Sequence, residues 1–139
     1  VICERDTHSF ILRLPVTPVG QERARHSRNG HTYTPAKTRQ ATNEIRELWS
    51  LAGKPVVEGE WFSISILAQI PKPRTSKLAY PARPDVDNIA KLVLDALQGY
   101  AFQNDSRCCS LSVSKEWGGP LLVARIKWGQ PVTTADCPR

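Results

Sequence analysis

The run Arg83-Pro84-Asp85-Val86-Asp87-Asn88-Ile89-Ala90-Lys91 sets two carboxylates one residue apart and a lysine four residues after the second. Such a pair can hold a hard divalent cation, because magnesium takes oxygen ligands and is usually bound by one or two carboxylates with water and substrate phosphate. On a helix, positions 87, 91 and 95 recur every four residues, so Asp87, Lys91 and Asp95 share one exposed face, with Asp85 just ahead of the first turn. A structural role fits the same residues: aspartates cap helix N-termini and favour the helix dipole, and the three side chains can form a solvated ion-pair ladder. Asp95 is open to either use, as an orienting partner of Lys91 or as helix surface. A third acid would weigh towards chemistry, and Asp105 lies just past this helix. A helix over 88–98 is roughly 16 Å long and the seven residues 99–105 span about 23 Å when extended, so a return within one chain is feasible. A contribution from a second subunit is also open.

The acids stand in a basic chain. Over 139 residues there are 19 Lys and Arg against 13 Asp and Glu, a net charge of +6, which favours attraction to polyanions such as nucleic acid. Arg23, Arg25, Arg28, Lys37, Arg39, Lys72, Arg74, Lys77 and Arg83 are candidates for phosphate contacts, each with solubilising surface charge as its plainer reading. Tyr33, Tyr80 and Phe102 can stack on or wedge between nucleic-acid bases, but packing at a loop base is the expected role of each. His8, His26 and His31 have no metal-ligand spacing; His26 and His31 flank Asn29-Gly30 and are expected on the surface. Cys3, Cys108, Cys109 and Cys137 lack the spacing of a zinc site and read as reduced thiols in a cytoplasmic protein. No apolar run approaches the ~20 residues of a membrane span, and the opening VICERD is charged too early for a secretory signal.

The elements that must position these groups are readable from periodicity. SFILRL at 9–14 alternates as a strand with Phe10, Leu12 and Leu14 buried. A long basic connection follows, with a hairpin signal at Asn29-Gly30. Thr34 as N-cap and Pro35 at the first helical position open an amphipathic helix of about five turns, carrying Ala41, Ile45, Leu48, Trp49 and Ala52 inward until Gly53 stops it. WFSISILAQI at 61–70 is a buried strand. PKPRTSKLAYPARP at 71–84 has four prolines, four basic residues and no acid, and a loop of that length in a compact domain is usually functional or disordered. Ile89, Leu92, Val93, Ala96, Leu97 and Tyr100 mark the buried stripe of the second helix, and two strands joined by Gly118-Gly119-Pro120 complete the order β-α-β-α-β-β. This predicts a small single α+β domain over 1–128, a mixed sheet with two main helices, and a flexible tail over 129–139.

The run PARPDVDNIAKLVLDALQGYAFQNDS resembles the signature of the RusA-type Holliday-junction resolvases: a basic-Pro-Asp-x-Asp-Asn start, a lysine four residues after the second Asp, an Asp-Ala-Leu and a terminal Asp-Asp. RARHSRNGHTYTP is similar to the Arg-rich, Tyr-Thr-Pro segment of phage members. The resemblance covers roughly residues 10–128. It implies a homodimeric, Mg²⁺-dependent endonuclease, with Mn²⁺ as a possible substitute, that resolves four-way DNA junctions by symmetric nicks in recombination and repair. By position it makes Asp85, Asp87 and Asp105 the metal-binding acids and Lys91 the catalytic-site lysine. The family's Asp-Asp is Asn104-Asp105 here, keeping the second acid, and its common Asn-Gly is Gln98-Gly99. A non-catalytic nucleic-acid-binding module and a nuclease acting on other branched DNA are the competing expectations. The dimer interface is not located, with apolar residues of the sheet or of 101–103 as candidates.

Overall fold

The computed structural model describes residues 2–22, 25–33 and 35–129. The expected N-cap Thr34, the basic candidate Arg23 and residues 130–139 of the expected tail lie outside the described residues, as do the side chains of Arg25 and Tyr33.

Among the described residues, seven strands and two α-helices run in the order β1 (Ile2–Asp6), β2 (Ser9–Leu14), β3 (Arg25–His26), β4 (Thr32–Tyr33), α1 (Ala36–Leu51), β5 (Phe62–Ile70), α2 (Val86–Leu97), β6 (Cys108–Trp117) and β7 (Leu121–Trp128). Five form one mixed sheet in the order β1-β2-β7-β5-β6. All its pairs are antiparallel except β5–β6, which are parallel because α2 carries the chain across between them. The α+β class and the central β-α-β-α-β-β order are as the periodicity predicts, with β1 and the short β3–β4 ribbon added. That ribbon is the hairpin signalled at Asn29-Gly30: Gly30, at φ 79°, donates its N–H to the Ser27 carbonyl.

Alternation builds the core. Phe10, Leu12 and Leu14 of β2, Phe62, Ile64, Ile66 and Ala68 of β5, and Leu122, Ala124 and Ile126 of β7 are all buried and share the face under the helices. From above, α2 contributes Ile89, Ala90, Leu92, Val93, Ala96 and Leu97, and α1 contributes Ile45 and Trp49. Each of the larger side chains contributes roughly 1.5–3 kcal/mol by leaving water. The chain is thus a two-layer structure, with helices on one face of the sheet.

Two boundaries move from the sequence expectation. Pro35 is the N-cap of α1, at φ −54° and ψ 144°, and the helix proper begins at Ala36 without a side-chain cap. The second helix begins at Val86, so Asp87 lies inside its first turn. No described helix is long and apolar enough to cross a membrane.

Candidate active site

Asp85 is the N-cap of α2 by position, at φ −69° and ψ 146°, and its carbonyl accepts the first helical bond, from Ile89 N–H at 3.0 Å. Its carboxylate makes no capping hydrogen bond. Asp85, Asp87, Lys91 and Asp95 are all exposed, and among the described residues none of the four side chains is in an ion pair. The ion-pair ladder is therefore not formed. The helix dipole still favours negative charge at Asp85 and Asp87, but both carboxylates are left free to bind something else. Lys91 lies one turn along α2 from Asp87, on the same face.

Two supports from the scaffold fix this end of α2. Lys115, near the end of β6, donates from Nζ to the carbonyls of Ala82 and Pro84, both at 3.1 Å. On the other side, Gln21 N–H donates to the Asn88 carbonyl at 3.0 Å, and a Cβ at Gly20 would stand 3.0 Å from the Cβ atoms of both Asn88 and Pro84. The close approach there favours a glycine. Between these supports opens a cleft of about 640 Å³ whose lining includes Gly20, Lys37, Arg83, Asp85 and Asn88. It brings together two of the basic candidates, Lys37 and Arg83, with two acids, the candidate Asp85 and Glu22.

The third acid lies at the opposite end of the helix. After Leu97 the chain turns at once: Tyr100 and Ala101 donate to the Leu97 carbonyl at 3.0 and 2.9 Å, and Gly99, at φ 83°, donates to Phe102 O at 2.7 Å. Ala101 and Phe102 are buried, with the Phe102 ring stacked on Phe62 at 4.5 Å. The residues that could have carried Asp105 back along α2 are spent in this turn. Asp105 instead donates its N–H to Gln98 Oε1 at 3.1 Å and opens a 3-10 turn, Asp105–Arg107, that Asn104 caps by accepting from Ser106 N–H at 2.9 Å. Asn104 thus has a local structural use. With 12 residues, α2 is about 18 Å long. The start of β6 is equally remote, since Cys108 to Lys115 spans about 23 Å of strand. Among the described residues, no group of three His, Cys, Asp or Glu side chains could hold a metal ion within one chain.

The remaining candidates are dispersed. Lys72, Arg74 and Lys77 are exposed on the 71–84 arm, Arg28 is exposed at the β3–β4 turn, and Arg39 lines a separate groove with Arg46 and Asp95. Of the aromatics expected to pack, Phe102 does and Tyr80 does not, being 66% exposed. His26 and His31 are exposed as expected. Cys3, Cys108 and Cys109 are free thiols; burial pushes the Cys108 thiol up, and the neighbouring Cys109 and Asp105 add to the effect.

A family profile described as "Endodeoxyribonuclease RusA" matches residues 15–127, which include both ends of α2 and the basic arm. The chain belongs to the RusA endodeoxyribonuclease family. Membership makes it an endonuclease of the Holliday-junction resolvase class, acting in DNA recombination, with branched DNA as its partner. A search of curated proteins finds no match.

Two residues that support the backbone around the candidate acids were missed in the sequence. Lys115 has the inward parity of Leu111, Val113 and Trp117, so a lysine in that alternation was its signal. Gln98 carried no comparable signal; only the local turn reveals that it orients Asp105.

Proposed function

We propose that the chain acts as a homodimer on four-way DNA junctions, cutting with Mg²⁺ held by Asp85, Asp87 and the partner subunit's Asp105. The observation that carries this reading is the uncommitted state of the acids: Asp85 begins α2 without capping it, and neither Asp85, Asp87 nor Asp105 is in an ion pair among the described residues. Three exposed carboxylates with no structural partner suit a hard cation that keeps several waters and also takes substrate phosphate. Their separation along α2 favours assembly across two chains. In the sheet β6 is an edge strand, with Asp105 ahead of its start and Lys115, which grips Pro84, near its end. Two β6 edges approaching antiparallel about a two-fold axis bring each Asp105 end to the Asp85 end of the other chain.

When bound, the cation polarises the scissile phosphate and lowers the pKa of an attacking water. Asp85 and Asp87 would hold it at the mouth of the cleft, while Lys37 and Arg83 fix the adjoining phosphates. Lys91, one turn from Asp87, would stabilise charge that develops on the phosphate oxygens. One site per chain in a two-fold dimer matches the near two-fold symmetry of the junction and yields paired nicks.

The test is an end-labelled four-way junction compared with linear duplex and with flap and fork substrates, each with magnesium or with chelator. Paired nicks on the junction alone, only with magnesium, are expected. Junction binding without nicking would convert the protein to a binding module, and equal cutting of flaps and forks would widen the substrate to branched DNA in general.

A further inference from the structure

The 71–84 arm does more than carry charge. Among the described residues three aromatic side chains are exposed, Trp61, Tyr80 and Tyr100, with Tyr80 the most so at 66%. The Arg107 guanidinium lies 5.1 Å from the Trp61 ring centre, and Arg46 lies 4.8 Å from that of Tyr100, which also meets Trp49 edge-on at 5.7 Å. Tyr80 alone of the three has no ring or cation partner among the described residues. Leu78, two residues before it, is 54% exposed.

An exposed apolar pair on a loose loop would mean little, but this segment is fastened on both sides. Trp117 donates from Nε1 to the Leu78 carbonyl at 2.9 Å, Pro81 is fully buried, and Lys115 holds the carbonyls of Ala82 and Pro84. Leu78 and Tyr80 therefore project from a backbone that is already ordered, and binding through them costs little further entropy. The charge around them selects the occupant. Residues 71–84 carry Lys72, Arg74, Lys77 and Arg83 and no acid, a setting for phosphates. A base in a fully stacked duplex offers no face to such a pair, whereas a base at a branch point can be unstacked by an apolar wedge.

We infer that Leu78 and Tyr80 form a wedge that stacks on a base exposed at the branch point of the DNA. The chain from Tyr80 to Asp85 spans at most about 17 Å, so the wedge lies close enough to the acids to set which phosphate reaches them. It rests on the proposed function only in taking branched DNA as the ligand.

The experiment uses the full chain in chelator, so that nothing is cut, and a four-way junction with 2-aminopurine at the branch point. Wild-type binding should change the 2-aminopurine fluorescence. Tyr80→Ala should abolish that change and weaken junction binding roughly 5-fold or more, the loss expected for one stacked base. Its affinity for linear duplex and its melting temperature should stay unchanged, and Tyr80→Phe should keep both signal and affinity. An equal loss on junction and duplex would overturn the wedge in favour of a general backbone contact. A Tyr80→Ala protein that sediments at half the wild-type mass would overturn it in favour of a surface covered by a second copy. Normal junction binding with Tyr80→Ala indistinguishable from wild type would sink the wedge alone, whereas wild type failing to bind the junction would sink the resolvase reading with it.

Discussion

The two ends of α2 are built from opposite materials. At its N-terminal end the acids are exposed and the backbone is steadied from outside, by Lys115 of β6 and by the 20–21 segment. At its C-terminal end the chain is steadied from within: a tight turn buries Ala101 and Phe102, and Arg46 donates from Nε to the Ala96 carbonyl at 2.9 Å. One end is an exposed platform that carries two acids and the other an anchor that holds a single acid, Asp105, away from the first two. A helix about 18 Å long and packed along its whole apolar stripe does not bend to close that gap. The comparison teaches that, within one chain, the candidate acids fall into two separated groups, Asp85 with Asp87 and Asp105 alone.

Changes to the platform should be felt as lost chemistry. Asp87→Asn is expected to reduce nicking about a thousandfold, the order of effect when a metal's charge stabilisation is lost, with junction binding in chelator retained. A variant that cuts at the normal rate would remove Asp87 from the site. Changes to the anchor should be felt first as lost stability. Phe102→Ala, which empties the stack on Phe62, is expected to cost about 3–5 kcal/mol in denaturant unfolding. If stability were unchanged, the turn would not be the anchor described.

Smaller changes separate positioning from chemistry. Lys115→Met frees the Ala82 and Pro84 carbonyls and should raise the magnesium needed for half-maximal nicking by about tenfold, a cost of roughly 1.4 kcal/mol that is typical of a charge-assisted hydrogen bond. Lys115→Arg should recover part of it, and an unaltered magnesium titration for Lys115→Met would show that the platform needs no support from β6. Gln98→Ala removes one neutral bond to Asp105 N–H and should slow nicking only about threefold to fivefold. A larger loss would mean that Gln98 itself touches the substrate.

How much of this the sequence revealed depended on whether the signal was periodic. β2, β5 and α2 alternate or repeat cleanly because each buries one face, and their core residues are those expected except Ile70, which is half-buried at the end of β5, and Tyr100, which lies past the end of α2 and is 43% exposed. β1 escaped notice because ICERD has no apolar alternation; its place comes from pairing with β2, including an ion pair between Arg13 and Glu4. β6 has the expected parity but not the expected burial, since as an edge strand it leaves Leu111 46% exposed. The candidate acids were visible as residues, and their arrangement was not. Gly99 reads as a helix stop, but nothing in the sequence says that the next residues fold back under Leu97 and Phe62 rather than travelling along the helix. Tyr80 was misplaced for the same reason: whether a ring in a proline-rich arm packs or projects is decided by distant partners, here Trp117 and Lys115.

The most direct test of a site shared between chains is complementation. Asp87→Asn and Asp105→Asn proteins are co-expressed with different affinity tags, and the heterodimer is purified through both and tested on the junction with magnesium. If the acids come from two chains, one of the two sites in the heterodimer carries neither substitution, and nicking of one strand should return to roughly half the wild-type rate. If all three acids act within one chain, both sites remain damaged, and an inactive heterodimer of correct mass would contradict the account.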